Sequence, residues 1–219
     1  MTKVVRFVCF SGVISAAAFV GALIPHVYAA ACPNVEVVFA RGTSEAPGVG
    51  GIGQDFVNAL SSKVGSVGVY AIDYPANMDF GGSAMAGIND AANHIQYMAT
   101  SCPATHMILG GYSQGAAVAG FVTSAVVPDG APIDSPQPLS PAVANHVAAV
   151  VLFGTPSAQF MGMIGQPPIT IGGTYQGKTI QLCTPDDPIC SQGTDWAAHS
   201  AYTDDGMVAQ AVTFAASRI

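Results

Sequence analysis

The stretch LGGYSQGAA, Leu109 to Ala117, sets one serine between two glycines. Gly111-Tyr112-Ser113-Gln114-Gly115 fits G-x-S-x-G, the pattern of a sharp strand-to-helix turn that presents a serine oxygen as a nucleophile. The glycines suit such a turn, because a Cβ on either side would collide with the strand and helix packed there. The bland alternative is a serine that merely caps the helix. An apolar run before Ser113 and a small-residue run after it supply strand, turn and helix, which favours the nucleophile.

A serine hydroxyl attacks poorly without a neighbouring base. Of the five histidines, His26 falls in the N-terminal apolar segment, His94 inside a helical pattern, and His106 and His146 at strand starts. His199, in DWAAHSAY, follows the last strand in a turn-rich stretch, where α/β-hydrolases carry their base in the chain order Ser, Asp, His. The acid must lie between them. CTPDDPIC offers Asp186 and Asp187, with Asp195 further on. Such an acid orients the imidazole and stabilises the imidazolium, so it needs fixed geometry. Spacing alone does not choose between Asp186 and Asp187. There is no H-E-x-x-H and no other histidine pair at ligand spacing, so neither a metal nor any other cofactor is expected.

The elements that would hold these residues alternate. VEVVFA, VGVYAI, HMILGG, VAAVVLFG and KTIQLC read as strands, and their continuous apolar character suits a parallel sheet covered on both faces. Residues 53–64, 82–102, 114–126 and 204–219 read as helices. The alternation predicts a three-layer α/β/α sandwich around a mainly parallel five-stranded sheet. VPDGAPIDSPQPLSP reads as a surface loop. Gly48-Val49-Gly50-Gly51-Ile52-Gly53 spells G-x-G-x-x-G with Asp73 about 20 residues on, as a dinucleotide fingerprint would. The glycines do not follow the strand immediately, however, so a flexible glycine-rich approach to the first helix is the better reading.

The chain opens with Lys3 and Arg6, an uncharged apolar run from Phe7 to Ile24, and small residues in HVYAAAC. This is the pattern of a secretory signal peptide, with cleavage expected near Ala29 to Ala31. Residues 1–31 are assigned to it and 32–219 to a single domain. The apolar run would also suffice as an uncleaved anchor, and Cys32 as an acylated cysteine, although Ala29 stands where a leucine is usual. Removing two of six Lys and Arg takes the formal net charge from −7 to about −9. No basic stripe remains to neutralise phosphates, so nucleic acid is excluded as a partner. Without Cys9, the even set Cys32, Cys102, Cys183 and Cys190 suits two disulfides in an oxidising compartment. Three pairings exist. Cys183–Cys190 and Cys32–Cys102 are favoured, the latter's long loop being worth about 4 kcal/mol in the chain-entropy model. Zinc would be the rival use, but no C-x-x-C pair occurs.

VVFARGTSE, GGYSQGA, a C-x-x-x-D-x-x-C loop and AAHSAY, in this order, resemble the cutinase family of serine esterases, most of all the secreted cutinase-like proteins of mycobacterial type. The likeness spans essentially the whole mature chain and implies the small cutinase-like α/β-hydrolase fold. In the family pattern the acid lies four residues after the first loop cysteine, which is Asp187 and breaks the tie. The family pairs its cysteines as favoured above. The resemblance also implies an oxyanion hole from the Gln114 backbone N–H and from Thr43, where many members carry serine.

In the family, loops at Met78, Phe80 and Trp196 flank an open cleft for the acyl chain; each residue read alone could equally be core or rim packing. The apolar stretch Phe160–Gly173 is expected to form a lipid-contacting flap. These residues point to a monomeric secreted serine esterase acting on short- to medium-chain esters, lipids or cutin-like polyesters, with transient contact to a lipid interface. The alternatives are a carbohydrate deacetylase of the acetylxylan-esterase kind and a secreted surface protein that keeps the fold without turnover.

Overall fold

The computed structural model describes residues 1–2, 32–129, 131, 133 and 135–219 of the 219-residue chain. The signal-peptide reading, with Lys3, Arg6 and the cleavage region at Ala29 to Ala31, falls outside the described residues. Residues 32–219 cluster as one compact unit.

Five strands, β1 (Val35–Ala40), β2 (Gly68–Ala71), β3 (His106–Tyr112), β4 (Val147–Phe153) and β5 (Thr179–Leu182), form one sheet in the order β2-β1-β3-β4-β5. Every pairing is parallel. The longer helices are α1 (Gly50–Val64), α2 (Phe80–Ser101), α3 (Gln114–Val122) and α7 (Met207–Ala216). Shorter ones are α4 (Pro141–Ala144), α5 (Ala158–Met163) and α6 (Gly173–Gln176), with a 3₁₀ turn at Ala198–Ser200.

The apolar runs of β1, β3 and β4 are buried on both faces, as parallel strands covered by helices must be. Successive side chains alternate between two cores. Val38, Leu109, Val150 and Leu152 face α2 and α3, while Val37, Phe39, Ile108, Val151 and Phe153 face α1 and α7. In the second core, Phe39, Phe56 and Phe153 form a trio with ring centroids 6.1–6.4 Å apart. Each such fully buried ring contributes about 1.5–3 kcal/mol. The one carboxylate in β1, Glu36, meets the His94 ring nitrogen at 2.9 Å.

From β1 the chain crosses by α1 to β2 on one side, then returns by α2 to β3 on the other. The direction of winding therefore reverses between β1 and β3, and the crevice beyond their carboxyl ends is where open α/β sheets bind ligands. Thr43 follows β1 and Ser113 follows β3, so both sit at that crevice. The helix α3 stops at Val122, short of the 126 expected. The Thr123 hydroxyl donates to the Gly120 carbonyl at 2.6 Å. Its own carbonyl is taken by the Gly172 N–H at 2.9 Å, which draws the chain off the helix axis.

Candidate active site

Ser113 sits between β3 and α3 with φ 55° and ψ −118°, a conformation L-residues rarely hold. A Cβ at Gly111 would lie 2.1 Å from the Gly115 carbonyl oxygen, and one at Gly115 would lie 2.0 Å from that of Ala40. No side chain fits at either position, which is why both are glycine. The Ser113 side chain makes no capping hydrogen bond to α3, so its hydroxyl is not spent as a helix cap. It points to His199 instead, with Oγ 2.9 Å from Nε2.

The other ring nitrogen of His199, Nδ1, lies 2.7 Å from Asp187 Oδ2. Asp187 is fully buried and all its neighbours are donors. The Ile189 N–H reaches Oδ1 at 2.7 Å, and the Tyr202 hydroxyl donates to Oδ2. In the tautomer whose Nδ1–H donates to Oδ2, Nε2 is left to accept from the Ser113 hydroxyl. Burial first, then the neighbouring carboxylate, pushes the Tyr202 phenol far up, so it remains a donor. Asp186, the rival acid, is exposed with φ 65°. Its carbonyl accepts from the Asp195 N–H at 3.1 Å, and a Cβ at Gly193 would come within 1.9 Å of that carbonyl oxygen. Asp186 thus shapes the turn while Asp187 faces inward. Both cysteine pairs form as expected, and Cys183–Cys190 closes the loop that carries Asp187.

Thr43 and Gln114 line the same cleft as Ser113 and His199. Gln114 opens α3, so its N–H is among those with no intrahelical partner. Its buried side chain accepts from the Ser83 hydroxyl at 3.1 Å and donates to the Asn77 carbonyl at 2.8 Å. This ties the start of α2 to the elbow. The Thr43 loop is braced throughout. Arg41 donates to the Glu45 carbonyl at 2.8 Å and the Tyr74 carbonyl at 2.7 Å, and the Tyr74 hydroxyl donates back to the Arg41 carbonyl. The Glu45 carboxylate accepts from Gly42 N–H at 2.5 Å and Gly51 N–H at 2.7 Å.

Gly50 and Gly51 of the glycine-rich run Gly48–Gly53 meet that carboxylate, while Gly53 packs against the Phe39 ring. A Cβ at Gly50, where φ is 73°, would lie 2.2 Å from a Glu45 oxygen. Its Gly50–Gly51 step seats Glu45, and the run is not the strand-to-helix turn a dinucleotide fingerprint requires, since β1 ends at Ala40 and α1 begins at Gly50. Among the described residues no group of three or more His, Cys, Asp or Glu is placed to hold a metal ion.

The cleft encloses about 390 Å³. Met78, Phe80, Phe121, Ile164 and Trp196 give it apolar walls, and Trp196 meets the His199 ring edge-on with centroids 6.5 Å apart. Met78, Met163 and Trp196 are 70%, 68% and 65% exposed. Of the expected flap, Phe160, Met161, Ile164 and Gln166 line this cleft.

A profile of the cutinase family matches residues 31–219. The chain belongs to the cutinase family. It is 60% identical over 168 residues to the probable carboxylesterase Culp5 of Mycobacterium tuberculosis, covering 76% of this chain and 96% of that one. The phospholipase Culp4 of the same organism is 49% identical over 191 residues, covering 87% and 80%. Among solved structures, the catalytic core domain of an acetyl xylan esterase from Trichoderma reesei superposes with a TM-score of 0.73 at 25% identity, covering 86% of this chain and all of that one.

Two tyrosines around His199 in this cutinase-family site were not singled out by sequence reasoning. Tyr202 is the last letter of AAHSAY, and Tyr112 is the variable position of the elbow motif. The Tyr112 hydroxyl donates to the His199 carbonyl at 2.6 Å, and burial pushes its phenol up to about 12. The one aromatic residue in a motif otherwise made of Gly, Ser and Gln is the available signal. Nothing in the sequence pairs Arg41 with Tyr74 or Gln114 with Ser83.

Proposed function

We propose that this cutinase-family chain is a secreted serine esterase that cleaves carboxylic esters through an acyl-enzyme on Ser113. That the chain is a carboxylic ester hydrolase follows from its family and from its carboxylesterase relatives. The observation that carries the assignment of roles is His199, which bridges Ser113 Oγ at 2.9 Å and the buried Asp187 at 2.7 Å.

His199 Nε2 takes the Ser113 proton as Oγ attacks the ester carbonyl carbon. The carbonyl oxygen becomes an oxyanion held by the Gln114 N–H and by Thr43, where one donor is worth about 3–4 kcal/mol. His199 then returns the proton to the alcohol oxygen as the C–O bond breaks. Water attacks the acyl-enzyme by the same proton route and frees Ser113. Asp187 holds the imidazole and balances its transient charge.

The apolar cleft supports fatty acyl substrates such as lipids or polyesters. The acetyl xylan esterase likeness is of fold, and the Phe, Met, Ile and Trp walls favour an acyl chain over a sugar. All of the proposed machinery comes from one chain, so a monomer suffices. Its exposed Met78, Met163 and Trp196 would meet a lipid interface transiently. Two disulfides support export to an oxidising compartment, with cleavage near Ala29 to Ala31. No described helix is long and apolar enough to cross a membrane.

The test is hydrolysis of p-nitrophenyl esters from acetate to palmitate by the mature protein beside Ser113→Ala. Turnover lost in the variant supports the reading, and equal turnover in both refutes it. A preference confined to acetate would favour a deacetylase instead.

A further inference from the structure

A second cavity of about 350 Å³ lies between α2, α3 and described residues of the stretch that follows α3, among them Pro128, Pro136 and Leu139. It was not foreseen from the sequence, where that stretch carried no role. Ala84, Phe121 and Gln166 line both this cavity and the cleft at Ser113, so the two spaces share one partition. The described residues lining the second cavity include no charged side chain.

The two spaces adjoin because two helices wall both, and Gly81, Gly82 and Met85 bring the second one up beside the start of α2. On α3, Ala117 and Phe121 follow Ser113 at four-residue steps and line the cleft, and Phe121 and Val122 continue into the second cavity. On α2, Phe80 and Ala84 line the cleft, and Ala84, Ile88 and Ala92 continue at the same steps. Residues four apart stack on one helix face, so each helix contributes one apolar stripe. Both helices start at the carboxyl end of the sheet and run away from it.

Length sets what fits. Eight residues separate Ser113 from Phe121, a rise of about 12 Å along the helix. With C–C bonds of ~1.5 Å an extended chain advances about 1.3 Å per carbon, so the cleft alone houses roughly nine carbons. Ala84 to Ala92 spans another eight residues and a further ~12 Å.

Resting on the esterase reading above, we propose that the second cavity is the distal acyl site. The chain of a long-chain ester passes the Ala84–Phe121–Gln166 partition and lies against Ile88 and Ala92, giving room for about sixteen to eighteen carbons in all. The occupant is a single fatty acyl chain. The lining residues shared with the cleft, the absence of charge among the described lining residues, and the shared helix stripes all select it.

The test uses Ile88→Trp, which fills the second cavity and lies outside the cleft, with Met85→Trp as an independent second plug. Two quantities are read, and a melting curve shows that each variant is folded. One is binding of cis-parinaric acid, an eighteen-carbon fluorescent fatty acid, to the Ser113→Ala protein with and without the plug. The other is the ratio of kcat/KM for p-nitrophenyl palmitate to that for the butyrate. The plug is expected to weaken binding and to lower the ratio by at least about tenfold, the burial of roughly two methylenes. Equal binding with and without the plug, absence of binding, or an unchanged ratio in both plugged variants overturns the proposal. If neither ester is hydrolysed but plug-sensitive binding persists, the esterase reading fails and the acyl site stands.

Discussion

Asp187→Asn isolates what the buried carboxylate contributes beyond its shape. Its two oxygens meet three donors: Ile189 N–H at 2.7 Å on one, His199 Nδ1 at 2.7 Å and the Tyr202 hydroxyl on the other. An amide offers one acceptor and one donor in the same outline. If its oxygen faces His199, its NH₂ abuts the Ile189 N–H, leaving two buried donors head to head. If it turns over, the NH₂ faces His199 Nδ1, which must then accept, and the ring proton moves to Nε2. The Ser113 hydroxyl then faces N–H where it needs a lone pair. The second arrangement satisfies more partners because the Tyr202 hydroxyl can rotate and accept. We therefore expect the wrong tautomer to dominate and kcat/KM to fall about 10⁴-fold, the cost of that change in a serine protease. At 1.36 kcal/mol per decade this is ~5.4 kcal/mol of transition-state stabilisation.

The variant also loses charge-assisted hydrogen bonds worth about 2–3 kcal/mol net. For a domain of this size the Tm should drop by ~4–12 °C. The assay is kcat/KM on p-nitrophenyl butyrate beside a thermal melt, with Asp186→Asn as control. Asp186 is exposed in a left-handed turn that asparagine tolerates, so the control should stay within about threefold of wild type. A folded Asp187→Asn protein that loses less than tenfold, or a control that loses as much, would refute the assignment of the acid.

Three further outcomes follow from the packing. Gly115→Ala puts a Cβ 2.0 Å from the Ala40 carbonyl oxygen, so the elbow must open; we expect insoluble protein or a Tm lowered by more than ~10 °C on expression beside wild type. Replacing Cys183 and Cys190 by alanine opens a loop of seven-residue separation, worth about 2.5 kcal/mol in the chain-entropy model. Because that loop carries Asp187, kcat should fall more than on removal of Cys32–Cys102, even though the longer loop costs more stability by melt. The phenols of Tyr70, Tyr112 and Tyr175 are each pushed up to about 12, chiefly by burial. Their folded values lie above the unfolded 10.0, so the unfolded chain loses these protons first. The stability they contribute is whole below pH 10 and declines as pH rises toward 12, which phenolate absorbance and denaturant melts across that window will register.

The sequence by itself determined the sheet and the elbow, because both are written in local chemistry. A central parallel strand is apolar along nearly its whole length, and β1, β3 and β4 announce themselves that way despite Glu36 and His106. An elbow must have glycine wherever backbone passes within 2–3 Å of a Cβ position, and Gly111 and Gly115 mark it. Tertiary structure decided what depends on facing. Asp186 and Asp187 are chemically identical neighbours that spacing leaves open and the family resemblance resolves, and the turn held by Cys183–Cys190 and Gly193 is what points Asp187 inward. The run Gly48–Gly53 looks like a phosphate cradle until Glu45 folds back onto Gly42 and Gly51. Tyr202 and Tyr112 gain their roles from meeting His199 across the fold. The second cavity exists only because α2 and α3 lie side by side with small residues at Ala84 and Ala92, a juxtaposition of segments some 30 residues apart that no local pattern records.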